Sequence, residues 1–248
     1  MGCKIQFRQE RIALHEKGGD RGFSLVELMI AVAIVSIIGT AMIWIYQAAV
    51  RSNTAQENVI EMQQNIRAVL EVMARDIRMA GYDPQKTANA RIITATKGRF
   101  QFALDGNGNG DAISDDPVAA ETNENIAYGF SNANDADQDG VADAGSAPLG
   151  RNTGGGFQPI AENIQAIEFR YFDSDGNVTA DLADIRAVEI SILARAGAPD
   201  ENFTNTMTYT PASGAAWDLN GAGAGNAPND HFRRRLSIST VQCRNMGL

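Results

Sequence analysis

Gly22-Phe23-Ser24-Leu25-Val26-Glu27-Leu28 opens a run that carries a single charge, Glu27, between Leu25 and Tyr46. About 22 residues of helix rise roughly 33 Å, enough to cross a bilayer core of about 30 Å. A carboxylate at the centre of such a span costs roughly 2.5–3.5 kcal/mol on insertion scales, so a carboxylate in the span asks for a partner. The run offers none. The reading of the fold turns on what Glu27 pairs with.

The flanks narrow the choice. Lys4, Arg8, Arg11, Lys17 and Arg21 precede the run against Glu10, Glu16 and Asp20, a net of +2. Positive charge before a span places the N-terminus in the cytoplasm and the remainder outside, with Trp44 and Tyr46 at the outer interface. A secretory signal peptide fits poorly: the apolar run is longer than the usual 7–15 residues and contains Glu27. A plain signal anchor fits the length but leaves Glu27 unexplained. The chain as a whole has a formal net charge of −9, leaving −11 for the part after Arg21. A body so acidic argues against a nucleic-acid backbone as partner. Of the two cysteines, Cys3 lies in the leader and Cys243 near the far end.

Gly22-Phe23-Ser24-Leu25-Val26-Glu27-Leu28 resembles the processing site of type IV prepilins and the related pseudopilins. The resemblance implies a cut between Gly22 and Phe23 by a prepilin peptidase, which also N-methylates Phe23. It implies that residues 1–22 are a leader peptide, that 23–50 form the transmembrane and polymerisation half of a helix, and that Glu27 serves subunit assembly. The physics agrees. The cut creates an amine on Phe23, and Glu27 lies one helical turn on, on the same face. Amine and carboxylate in staggered neighbouring subunits can neutralise each other, which lowers the cost of burying both. Gly39 inside the span reads either as a small residue at a helix–helix contact or as a soft point.

The helical pattern continues past the span. Val59, Met62, Ile66, Val69, Leu70, Met73 and Ile77 recur at spacings of three and four, with charged residues between them. Residues 51–80 therefore predict an amphipathic half-helix whose stripe packs on a core, stopping at Gly81 and Pro84. Arg75-Asp76-Ile77-Arg78-Met79-Ala80-Gly81-Tyr82 closely resembles the end of the helix in PilW-type minor pilins. Two further phrases resemble the same family, Gly154–Ile164 and Arg233-Arg234-Arg235-Leu236.

Residues 81–248 read as a β-rich domain outside the membrane. Arg91–Thr96 and Arg99–Leu104 predict a hairpin joined at Lys97-Gly98, and Asn125–Phe130, Ile164–Phe172, Ile185–Arg195 and Arg234–Gln242 predict further strands. In Ile164–Phe172 the even residues, Ile164, Ala166, Glu168, Arg170 and Phe172, face one way, and Gln165, Ile167, Phe169 and Tyr171 the other. Asp173–Asn177 predicts a turn. The fold class is thus α+β and pilin-like: one long N-terminal helix packed on an antiparallel sheet with long loops.

The acidic insert 105–150 has ten acids and no Lys or Arg, and reads mostly as loop. Asp135, Asp137, Asp139 and Asp143 stand at relative positions 1, 3, 5 and 9, with Gly140 at 6, matching the first part of a calcium-loop pattern. Asp105, Asn107, Asn109 and Asp111 repeat the start with weaker ligands, and Asp116 falls at position 12. Neither loop has flanking helices or the bidentate Glu at position 12. Calcium binding and a solvated acidic loop therefore both stay open. Ala212–Pro228 is a second long loop with no chemistry attached.

No phosphate loop, nucleophile elbow or His/Cys metal spacing occurs, and His15 and His231 stand far apart. The chain is expected not to be an enzyme. The resemblance implies a minor pilin that helps initiate type IV pili or is incorporated into them. Its partners would be major and minor pilins, the prepilin peptidase and methylase, and an inner-membrane assembly platform. It would reside in a bacterial inner membrane and then on the pilus at the cell surface. Two alternatives stay open: a J-like minor pseudopilin of type II secretion, and a membrane-tethered calcium-binding or adhesive module that never polymerises. The phrase Arg78–Tyr82 favours the pilus.

Overall fold

The computed structural model describes residues 22–112, 123–221, 223 and 225–247. Packing divides the chain into two units, at Arg51 and Ser52. One helix, α1 (Leu25–Met79), contributes to both.

In the first unit, α1 is long and apolar enough to cross a membrane, and none of its most apolar 18-residue window is buried among the described residues. Two hydroxyls inside the span are satisfied locally. Ser36 Oγ donates to the Val32 carbonyl at 2.7 Å and Thr40 Oγ1 to the Ser36 carbonyl at 2.8 Å. Such back-bonding to the preceding turn removes hydroxyl donors that lipid could not satisfy.

In the second unit, the same helix turns one stripe inward. Met62, Ile66, Val69, Met73 and Ile77 are buried, with Val59 and Leu70 half-buried beside them. Each such side chain stabilises the fold by roughly 1.5–3 kcal/mol when fully buried. The helix stops where Gly81 adopts φ +75°, a left-handed conformation that ends helices readily. The Gly81 N–H then donates to the Ala103 carbonyl at 3.0 Å, tying the helix end to the sheet.

Among the described residues the sheet has seven strands in the order of the chain: β1 (Ile92–Ala95), β2 (Arg99–Ala103), β3 (Asn125–Gly129), β4 (Ala147–Asn152), β5 (Phe157–Phe172), β6 (Ala187–Arg195) and β7 (Arg234–Gln242). Every neighbouring pair is antiparallel. The expected α+β arrangement of one long helix and one antiparallel sheet is what the chain adopts. The sheet curls, so that the Phe169 N–H reaches the Lys97 carbonyl at 2.8 Å and Tyr171 Oη donates to the Thr96 carbonyl at 2.7 Å. Phe100, Phe102, Ile167, Phe169 and Ile190 from the inner face meet the helix stripe in one core.

A polar clasp fixes the helix on the sheet. Asp76 Oδ2 accepts from Tyr128 Oη at 2.6 Å and from Arg151 Nε at 2.7 Å, joining α1 to β3 and β4. Burial first, then the hydrogen bond to Asp76, push the Tyr128 hydroxyl well above its ordinary value, so it stays a donor.

Three features differ from the expectation. β4 lies at the end of the insert that reads as loop. It contains Pro148 and Gly150, and its pairing with β5 shifts register at both of them, so a ladder with bulges accommodates residues that disfavour strands. β5 starts at Phe157, seven residues before Ile164, across Pro159 at the same irregularity. The alternation of β5 is broken as well. A register shift between Ile164 and Ala166 puts Ile164 in the main core with Ile167 and Phe169, while Ala166 packs outward.

The outer face of β5 and β6 is covered too. Tyr209 and Trp217, from the segment between β6 and β7, close over Ala166 and Leu193. The long loop Ala212–Pro228 thus has a packing role. Cys243 is a buried free thiol whose pKa burial pushes up to about 12, which keeps it protonated and unreactive.

Candidate functional site: the helix start and the acidic loops

Gly22 and Phe23 precede the helix, and Phe23 is 89% exposed. The peptide bond between them is therefore outside regular structure. Ser24 is the cap. Its Oγ accepts the Val26 N–H at 3.2 Å, and Glu27 reaches back to accept the Ser24 N–H at 3.0 Å. This reciprocal pair is a capping box, the Ser-x-x-Glu arrangement that satisfies two orphan donors at a helix start. The pattern stood in the sequence at Ser24 and Glu27, but a reading of Glu27 as a charge in search of an amine passes over it. Glu27 also lies at the positive end of the helix dipole, which favours a carboxylate there.

The two acidic loops are built alike yet differ at one atom. In the first, Asp105 is fully buried and accepts the N–H groups of Gly108 at 2.6 Å and Gly110 at 3.1 Å. Asn107 accepts the Asn109 N–H and Asn109 accepts the Asp111 N–H, at 2.8 and 2.9 Å. Glu124, at the foot of β3, leans under this loop. Its Oε1 accepts the N–H groups of Gly106 at 2.9 Å and Asn107 at 3.1 Å, while its buried Oε2 has no hydrogen-bond partner. Glu124 stands 19 positions from Asp105, outside the loop pattern, and no sequence spacing points to it. Asp116 lies outside the described residues.

In the second loop, Asp135, Asp137 and Asp139 bring one carboxylate oxygen each within 4.8 Å of one another. Asp135 is 3% exposed and uses both oxygens, accepting from Asp139 N–H at 3.2 Å and Gly140 N–H at 3.1 Å. Asp143 accepts from the Ala136 N–H at 3.0 Å and Asp139 from the Val141 N–H at 2.7 Å. Burial pushes the Asp135 carboxyl up to about 6; the Gly140 N–H opposes this, and the neighbouring Asp137 and Asp139 add to it. The loop docks on β5, where the Gly140 carbonyl accepts the Ile167 N–H at 2.8 Å. Its carboxylates thus act as backbone acceptors that shape a turn. His231 is exposed, its Nδ1 2.6 Å from the Phe203 carbonyl oxygen.

Residues 17–43 match the family model described as the prokaryotic N-terminal methylation motif. Among solved structures, a type IV-like pilin from Thermus thermophilus is similar at 15% identity. The alignment covers 75% of this chain and 98% of that one with a TM-score of 0.43. Comparison with curated protein sequences yields no match.

Proposed function

We propose that this chain is a structural subunit of the type IV pilin class, a minor pilin of the PilW type. In this reading a prepilin peptidase cuts it between Gly22 and Phe23 and methylates Phe23, after which it enters a filament with other pilins. The observation that carries the reading is the segment at the head of α1, where Gly22-Phe23-Ser24-Leu25-Val26-Glu27 precedes an apolar half-helix and matches a methylation-motif model over residues 17–43. Three features support it. The scissile bond is exposed and non-helical. The apolar half-helix has the length of a membrane span, and none of its most apolar window is buried among the described residues, as expected of a segment that exchanges lipid for neighbouring subunits. The amphipathic half-helix packs its stripe on the sheet and so holds the β domain.

The mechanism follows from the charges. Cleavage at Gly22 frees an amine one turn before Glu27. That carboxylate is the one acidic group between Leu25 and Tyr46, so it is the one anion available to meet an amine at that depth in the membrane. Register between subunits then rests on the pair.

Mass spectrometry of the N-terminal peptide from membranes of the native host tests the proposal. The expected result is a chain that begins at N-methylated Phe23. A chain that still begins at Met1 overturns it and favours a tethered module that does not polymerise. Recovery of the mature chain with secretion pseudopilins instead of pilus components would move the assignment to the J-like pseudopilin.

A further inference from the structure

We propose that the loop Asp105–Asp111, closed from below by Glu124, is a calcium site on the β domain. The argument begins with an atom. Glu124 is 4% exposed, and its Oε2 is buried without a hydrogen-bond partner among the described residues. A buried ionised oxygen in that state costs far more than one paired to a donor. The loop that Glu124 closes holds a second carboxylate, Asp105, fully buried. No Arg or Lys forms an ion pair with either, among the described residues. Two buried acids of like charge, one on the loop and one beneath it, with one oxygen unmet, lack positive charge.

The donor set identifies the cation. Asp105, Asn107 and Asn109 present side-chain oxygens at alternate residues of a glycine-rich turn, and no His or Cys lies among them. Oxygen-only donors on a pliable backbone suit calcium, which takes 6–8 oxygens in irregular geometry; magnesium requires a near-ideal octahedron and gives up water reluctantly. Glu124 does from the foot of β3 what the last glutamate of a calcium loop does from within the loop. It also explains why the loop pattern reads as incomplete: its terminal acid comes from elsewhere in the chain. Two backbone N–H groups hold Oε1, so the carboxylate is oriented before any ion arrives, which reduces the ordering cost of binding. The Asp135 loop lacks this feature: among its described residues no buried carboxylate oxygen is left without a hydrogen-bond partner.

The test uses the full chain in detergent, stripped with a chelator and titrated with calcium chloride by calorimetry, with magnesium chloride as comparison. Wild type is expected to bind at one site, with a Kd of about 0.1–1 mM as in extracellular calcium modules, and to unfold at a higher temperature when loaded. Glu124→Gln keeps an oxygen for Gly106 and Asn107 and removes the charge, so it should fold, lose roughly tenfold or more in affinity, and lose the calcium-dependent rise in melting temperature. Asp137→Asn should leave both unchanged. Absence of calcium binding at about 10 mM, well above that range, overturns the proposal. So does an equal calcium-dependent rise in wild type and Glu124→Gln, a loss confined to Asp137→Asn, or tighter binding of magnesium than of calcium. Failure of N-terminal processing would leave this result untouched, since the two sites share no residue.

Discussion

Glu27 has a partner within its own chain before any neighbour arrives. The Ser24 N–H occupies one of its oxygens and leaves the charge itself unneutralised. The two roles separate by substitution. Glu27→Gln keeps an oxygen for the Ser24 N–H and loses the charge; Glu27→Ala loses both. If pairing with the Phe23 amine fixes register, both variants should still be cut at Gly22, yet both should be missing from sheared filaments by immunoblot. Incorporation of Glu27→Gln at the wild-type level would assign Glu27 to capping alone. Capping is worth about 1 kcal/mol at such a position, too little to abolish assembly by destabilising the helix. The motif at Gly22–Glu27 was legible as residues because its meaning lies in order and spacing along the chain. Glu124 was not, since its partners Gly106 and Asn107 meet it through the fold.

Among the elements, the helix stripe was readable because its burial follows the 3.6-residue period: Met62, Ile66, Val69, Met73 and Ile77 are the residues that a single face selects. β4 was not, because Ala147-Pro148-Leu149-Gly150 carries the residues that normally exclude a strand, and only pairing with β5 on one side and β3 on the other overrides them. The turn that docks on β5 gives an element-scale prediction. Gly140 has φ +87°, and an added Cβ would run into the backbone carbonyl of Ile167, which cannot move without breaking the sheet. At Gly81 the obstacle is the flexible end of Met246. Gly140→Ala should therefore cost at least about 2 kcal/mol and Gly81→Ala closer to 1, as left-handed strain alone. Thermal unfolding of the two full-length variants in detergent checks the order; a larger loss at Gly81 would contradict it.

At the scale of the whole molecule, acid sensitivity follows from ion pairs around β7. Burial works against the Asp230 carboxylate, but the two bonds from Arg234, both at 2.6 Å, outweigh it and hold Asp230 below its usual value. Arg233 does the same to Asp200. Both carboxyls are depressed in the fold, so their contribution is present above the unfolded value of about 4 and is lost as pH falls through the lower folded values. The melting temperature of the full chain should fall between about pH 4 and pH 2. Asp230→Asn should lower it at pH 7, through a loss of stability on the order of 3 kcal/mol because the Arg234 side chain is 1% exposed, and flatten the fall. A fall of unchanged steepness in that variant would place the acid sensitivity elsewhere. The order of the strands has a consequence for how such a chain is made. Among the described residues, each of β2 to β7 pairs with the strand that came just before it. A polypeptide emerging from a membrane translocon, helix first, can add strands one at a time, and none has to wait for a distant partner. The exception is the far edge. β6, with Val188, Ile190, Ile192 and Leu193 all buried, keeps an open row of backbone donors and acceptors until β7 arrives. In that interval the nascent chain can be captured by any other extended strand, so its safe delivery depends on how quickly residues 196–233 pass and let β7 seal the edge.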